Sequence, residues 1–369
     1  MTAGPSRAAN DARGSTAVIK FESHLSSLRL ADVAHGRDNN FQLLRFLAAG
    51  AVILFHCYAL TNRWIDEPLW KRAPELDFGS LGVKCFFVIS GFLVTQSWLA
   101  RRHLMPFAAA RALRIYPALL TATLFSIALA AWSSALPAGA FLDDPQTLDY
   151  TWRNALGWEL RDKLPGAYVD NPFPNSVNGS LWTLPVELRL YVALGIAGAA
   201  GLLARRYAWT ITMGALIALF VAKPEWFALA QNSKVTRELA LLFALGSLAY
   251  VWRAAFPLSL AGLLTALALI ILNPAGAGRG VLFEPLLAYT LLTVAYHPSL
   301  QWRAFNRLGD YSYGLYIYSF PIQQTITRLM PGVQPIALFV GALLLTLGVS
   351  ALSWHRVEKP MLGLKSRFH

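Results

Sequence analysis

Charge is what this chain has least of. Only 14% of its 369 residues are charged, against 56% hydrophobic, and mean hydropathy is +0.44. A soluble domain typically carries about a quarter charged residues. Too few ionic groups are present to solvate a folded body of this size, which argues against a soluble enzyme and equally against a disordered or fibrous chain. Cysteine is nearly absent. Cys57 and Cys85 both sit in apolar runs, so no disulfide framework is expected. No apolar core follows a basic segment at the N-terminus, so no cleavable signal peptide is expected either. The chain has no Walker A sequence, no His-Glu-x-x-His, no Gly-x-Gly-x-x-Gly and no His-x-x-x-x-Asp. No bound metal is expected as a result. Paired Gly/Pro-broken helices in two related halves, the signature of many transporters, are missing as well.

What is present is a series of apolar runs, and a spanning helix needs about 20 mostly apolar residues. The runs predict an all-α polytopic membrane protein with ten spans, at 43–62, 79–99, 114–134, 181–203, 208–223, 236–252, 257–273, 280–296, 311–329 and 335–354. The organisation expected is an N-terminal tail (1–40), a membrane domain (41–356) and a basic C-terminal tail (357–369). The net charge of +12, from 32 Lys+Arg against 20 Asp+Glu, is split by apolar runs and reads as orientation in a membrane, with no nucleic acid as partner. One set of alternate loops carries the tails with Arg101, Arg102, Arg111, Arg114, Arg205, Arg206, Arg253, Arg303 and Arg307. The positive-inside rule therefore places both termini in the cytoplasm, in agreement with an even number of spans.

Residues 135–180 form an outer connection far longer than an ordinary loop. It is aromatic and acidic (Tyr150, Trp152, Trp158, Tyr168, Asp143, Asp144, Asp170) and ends in a run of turn formers, Asn171 to Ser180. It reads either as a solvated spacer or as an acceptor-binding lid.

Ionisable residues inside a span are costly and mark function by default. His56 and Arg45 share the first span on one face, ~16 Å apart along the axis. That places Arg45 near the cytoplasmic end and His56 in the outer half. Glu187, a few residues into the fourth span, lies at a depth close to that of His56, and Lys84 is similarly deep in the second span. A Glu beside a His could set its tautomer and stabilise imidazolium; the alternative is a structural pair between helices. Ser90-Gly91 in the second span permits close helix approach. The segment from Arg101 to Pro117, read as a connection between spans, places four arginines at a cytoplasmic mouth, where they serve either topology or phosphate binding.

Together these residues resemble the acyltransferase-3 family of bacterial membrane proteins, which O-acylate cell-surface carbohydrates. Arg45, ten residues, then His56 is similar to its first-helix motif, and Phe86-Phe-Val-Ile-Ser-Gly-Phe92 to its second. Arg111 to Pro117 resembles its Arg-rich third-helix segment, Ser180-Leu-Trp-Thr-Leu-Pro-Val-Glu187 its Ser-Leu-Trp-Ser-x-x-x-Glu, and Ser312 to Pro321 its Ser-Tyr-x-Leu-Tyr-x-x-His-x-Pro, with Ser319 standing where many members have His. The resemblance covers residues 39 to 361 and implies an acyl-CoA donor, most often acetyl-CoA, a carbohydrate hydroxyl as acceptor, no permanent cofactor, and a bacterial inner-membrane location among membrane lipids. It implies His56 and Glu187 as the catalytic pair, with His56 as general base or acyl carrier. Arg45, Ser90, Arg111, Arg114 and Trp182 are the substrate-binding residues it implies. The rival readings are a carbohydrate exporter or flippase and a scaffold of a surface-polymer assembly, neither of which transfers an acyl group.

Overall fold

A computed structural model describes residues 28–36, 38–73, 76–223, 234–272 and 279–368. Most of the N-terminal tail, including Arg7, Arg13, Lys20 and Arg37, lies outside the described residues. Among those described there is no strand, and a helix stands at each of the ten predicted segments: α1 Phe41–Leu60, α2 Phe78–Arg101, α3 Leu104–Ser133, α4 Leu184–Ala199, α5 Arg206–Ala222, α6 Lys234–Val251, α7 Leu260–Leu272, α8 Arg279–Tyr296, α9 Ser312–Leu329 and α10 Pro335–Ser353. Among the described residues, five helical stretches are long and apolar enough to cross a membrane: Phe41–Leu60, Phe78–Arg101, Leu104–Ser133, Gly179–Ala199 and Pro335–Phe368.

α2 is the hub. It packs along α1 on one side and α6 on the other, and α9 fills the groove between α1, α3 and α10. Close approach depends on glycine. A Cβ on Gly91 would lie 2.0 Å from the Phe243 carbonyl oxygen of α6, and one on Gly246 would lie 2.1 Å from the Val88 carbonyl oxygen of α2. Gly82 likewise faces the Ala48 backbone of α1. Without a hydrophobic drive between helices in lipid, such backbone contact is a main source of packing energy. The approach expected at Ser90-Gly91 is therefore real, and Gly91 is the residue that makes it.

Three segments depart from expectation. The third helix begins at Leu104, ten residues before the predicted span, because 104–113 contains no helix breaker that the first turn cannot hold. Arg111 and Arg114 thus sit on a helix, not in a connection. The C-terminal tail is also folded. α10 runs into a π-helical turn at Trp354–Glu358 and short helices at Lys359–Gly363 and Leu364–Phe368 that return against α3. On the N-terminal side, Leu30–Val33 forms a helical turn whose Leu30 is fully buried, and Leu30 N–H donates to the Phe256 carbonyl at 2.9 Å. The packed body therefore starts before residue 41.

The 135–180 connection is a docked cap. Helices Ala138–Asp143 and Pro145–Leu156 enclose a small core of Phe141, Tyr150, Tyr168 and Val177 against Ala130 of α3. Pro321 explains part of its anchorage. Proline cannot donate to the carbonyl four residues back, and the Ile317 oxygen so released accepts from Asn178 Nδ2 at 2.9 Å. Asn171 and Gln324 complete the attachment, with Asn171 Nδ2 donating to Gln324 Oε1 at 2.7 Å and Gln324 Nε2 to the Ser176 carbonyl at 2.7 Å. Of the aromatic residues expected to form a lid, Tyr150 and Tyr168 are spent on this core, while Trp152 and Trp158 remain exposed.

Replacing Gly91 by Ala is expected to force α2 and α6 apart, at a cost of about 1–3 kcal/mol or more for an overpacked contact. Thermal melting in detergent checks this against Gly50→Ala, whose added Cβ meets nothing within 4 Å and is expected to melt as wild type.

Candidate functional site

Two cavities run end to end through the bundle. The inner one, about 120 Å³, is enclosed by α1, α2, α3, α4 and α9, and its polar wall is Ser90, Glu187, Tyr191, Ser312, Tyr313 and Tyr316. The second, about 480 Å³, opens at the end of the molecule where α2 meets α3, between Gln96, Arg101, Asp310, Trp354, Leu362 and Lys365. Arg45, Leu93, Arg111 and Arg114 line both, so the cavities meet at an arginine collar.

The collar is held by a residue that the sequence reading did not pick out. Asp310, just before α9, accepts from Arg45 Nη2 at 2.8 Å and Arg114 Nη2 at 2.9 Å through one oxygen, and from the Ser312 hydroxyl at 2.7 Å through the other. Burial pushes the Asp310 carboxyl upward, but Arg114 and Arg45, aided by Ser312, outweigh it and hold the group down at about 2. Arg114 also faces Glu358 of the C-terminal turn at 3.6 Å and lies over the Tyr313 ring. Arg111 Nη2 reaches Ser97 Oγ at 3.4 Å, and its guanidinium lies 5.9 Å from the Tyr191 ring centre. The Nε atoms of Arg45 and Arg111 are buried without a partner. Arg45, Arg101, Arg111 and Arg114 outnumber Asp310 and Glu358 here, which leaves surplus positive charge where the two cavities meet.

At the inner end, Ser90 Oγ donates to Glu187 Oε1 at 2.9 Å, and the Tyr191 hydroxyl donates to the same oxygen from one helical turn away. Ser90 and Tyr191 oxygens are 2.9 Å apart, which closes a three-residue ring. Glu187 Oε2 makes no hydrogen bond among the described residues and belongs to the cavity wall. Tyr316 caps this end by donating to the Ser180 carbonyl at 2.5 Å and meeting Thr183 Oγ1 at 2.7 Å.

His56 is not in this ring. The expected His56–Glu187 contact is replaced by an aromatic one. The imidazole meets Phe320 edge-on at 5.1 Å, with Phe55 at 5.7 Å, and its Nδ1 is buried with no hydrogen-bond partner. The cause is the placement of α9. It packs on α1 and puts Phe320, one turn beyond Tyr316, beside the imidazole, while α4 packs on α2, α3 and α6. Trp182 is also displaced. The turn Gly179–Thr183 buries Leu181 and Thr183 and leaves Trp182 42% exposed, on neither cavity. Ser319 is fully buried with an unpartnered hydroxyl. Lys84 takes the structural alternative, pairing with Glu238 at 2.7 Å and lying 3.6 Å from Glu284.

Sequence reasoning thus missed Asp310, Tyr191 and Tyr316. Tyr191 had a signal, being four residues after Glu187 and on its face. Asp310 directly precedes the Ser312 motif but looks like any loop acid. Among the described residues no cluster of three His, Cys, Asp or Glu side chains could hold a metal ion.

Asp310→Asn is expected to leave Arg45 without its counter-ion and Arg114 with Glu358 alone at 3.6 Å, at a cost of about 3–5 kcal/mol for breaking a buried pair. The folded-state carboxyl lies below its ordinary value of about 3.9, so its stabilisation is complete above that pH and is lost as pH falls toward 2. Melting temperatures of wild type and Asp310→Asn should therefore differ most near neutrality and converge at acid pH.

Comparisons with known proteins identify the family. The family model described as an acyltransferase domain, that of the acyltransferase-3 family, matches residues 38–355. An O-acetyl transferase of Shigella phage Sf6 is 29% identical over 344 residues, covering 89% of this chain and 98% of the relative. Nodulation protein 10 of Rhizobium leguminosarum bv. viciae is 28% identical over 378 residues, covering 90% and 95%. No solved structure matches. With its model matched over residues 38–355, most of the chain, this protein belongs to the acyltransferase-3 family.

Proposed function

We propose that the protein transfers an acyl group, acetyl from acetyl-CoA, to a hydroxyl of a cell-surface or exported carbohydrate, in the bacterial inner membrane. The observation that carries this reading is the pair of adjoining cavities that share the arginine collar, one opening at a basic mouth and the other lined by the Ser90–Glu187–Tyr191 ring. A relative named as an O-acetyl transferase supports acetyl as the group transferred.

The donor enters from the cytoplasm. Its phosphates pair with Arg101, Arg111, Arg114 and Arg45, since a guanidinium fork matches phosphate oxygens. The pantetheine arm follows the inner cavity and brings the thioester to Ser90, Glu187 and Tyr191. A hydroxyl donor at the thioester oxygen stabilises the charge that develops on attack, and Ser90 or Tyr191 supplies it by turning its one proton from Glu187 Oε1 to that oxygen. The acceptor arrives from the outer side beneath the docked cap. His56, whose ring nitrogen has no protein partner, takes the hydroxyl proton. The oxygen attacks the carbonyl carbon, the C–S bond breaks, and the thiolate leaves with a proton as CoA thiol. A transient acyl-imidazole at His56 is the other route to the same products.

The orientation proposed is ten crossings with both termini cytoplasmic. Support comes from one end of the bundle, where Arg29 meets the Ala255 carbonyl, Gln42 meets the Leu308 carbonyl, and the C-terminal turns pack on the start of α3 beside Arg101 and Arg102. Arginines at that end follow the positive-inside rule.

The test is O-acetyl content of surface polysaccharide, read by proton NMR in a deletion strain complemented with wild type or variants and matched for membrane expression. His56→Ala is expected to cost at least ~10²-fold, the lower bound for general-base help. Wild-type-like acylation in that strain would remove His56 from the mechanism, and polymer that fails to reach the surface in the deletion strain would favour export. In membranes assayed with labelled acetyl-CoA, Arg114→Ala is expected to raise KM for the donor about tenfold or more, the loss of one charge-assisted bond of 1.5–3 kcal/mol.

A further inference from the structure

A third cavity lies outside the acyl-transfer passage. It is a groove of about 360 Å³ between α4, α5 and α6, walled by Leu190, Leu194, Met213, Leu216, Leu241 and Phe243. Its charges are confined to one end, where Arg189, Lys234, Arg237 and Glu238 stand. The topology explains why. α4 and α6 both pack along α2, where Glu187 meets Ser90 and Glu238 meets Lys84, and each lines the groove with its charged residues at the N-terminal end of its wall. Glu238 contributes little negative charge to the mouth, because it is paired with Lys84. Arg189 is prepared for a ligand. Its guanidinium lies over the Trp158 ring of the cap, Nη2 donates to the Trp158 carbonyl at 3.2 Å, and Nη1 is buried with no partner. Arg237 makes no ion pair among the described residues. In the orientation proposed above, this end faces outward, where the positive-inside rule gives no reason for a basic cluster.

We infer that this groove is a binding site for an anionic phospholipid of the outer leaflet, with the phosphate between Arg189 and Arg237 and an acyl chain along the apolar wall. An apolar trough takes a hydrocarbon chain, and the two guanidinium groups of Arg189 and Arg237 at its mouth select a headgroup with net negative charge over a zwitterionic one. The phospholipid is favoured over other phosphate-bearing lipids because the bilayer supplies it at the groove. Its binding ties the cap, through Trp158, to α4, the helix that carries Glu187 on another face.

Native mass spectrometry of the full chain in detergent tests this without any acyl-transfer assay, so it stands or falls apart from the function proposed above. Phosphatidylglycerol and phosphatidylethanolamine of equal chain length are the probes. Wild type is expected to retain phosphatidylglycerol preferentially. Arg237→Gln, which disturbs no described contact, should lower that retention about fivefold, the worth of one basic residue near an anionic headgroup. Arg189→Gln should do the same and Arg189→Lys should restore most of it. Equal retention of the two lipids, or unchanged retention in Arg237→Gln, would overturn the site. A polyprenyl phosphate displacing phosphatidylglycerol at equal concentration would overturn its assignment to a phospholipid.

Discussion

A charge inside hydrocarbon must find a partner or a cavity, and the whole bundle is arranged around that cost. Arg45 and Arg114 converge on one oxygen of Asp310. Lys84 of α2 is held by Glu238 of α6 and lies near Glu284 of α8. Glu187 is wrapped by Ser90 and Tyr191. Each set joins at least two helices, so the charges act as pins through the bundle as well as chemical groups. Where a set is only partly satisfied, at the arginine Nε atoms and Glu187 Oε2, the spare valence points to a ligand.

The second constraint is backbone satisfaction. A proline in α9 releases the Ile317 carbonyl, and the cap supplies the missing donor through Asn178. The defect in the helix thus becomes the attachment point of the outer segment. Gln323 works similarly on the inner side of the same helix, donating to the Ile53 carbonyl of α1 at 2.8 Å. α9 is consequently the element against which α1, α3, α10 and the cap are registered, and it separates the His56 side from the Glu187 side of the molecule.

This division puts the two cavities and His56 in separate compartments. The inner cavity closes under Tyr316, whereas His56 lies against Phe320, one turn further along α9. In the function proposed here, reaction requires the two compartments to meet at the Tyr316–Phe320 step of α9. A thioester and a hydroxyl can then approach from opposite sides without a route for water or CoA through the membrane.

Composition and hydropathy alone determined the helical class and the position of all ten helices, because apolar run length is set by local chemistry that needs no partner. Arg45 and Glu187 were also legible, since charge inside an apolar run is visible one residue at a time, and Arg111 and Arg114 stood out as a basic cluster beside a span. The neighbours of those residues were not legible. Asp310 looked like an ordinary loop acid, Tyr191 like a packing aromatic, and His56 and Glu187 like partners because their depths matched. Depth along an axis follows from rise per residue, but which faces meet depends on how α9 packs between α1 and α3, and that is decided by glycine contacts and polar pins distant in sequence. Only the tertiary structure could place Phe320, not Glu187, against His56.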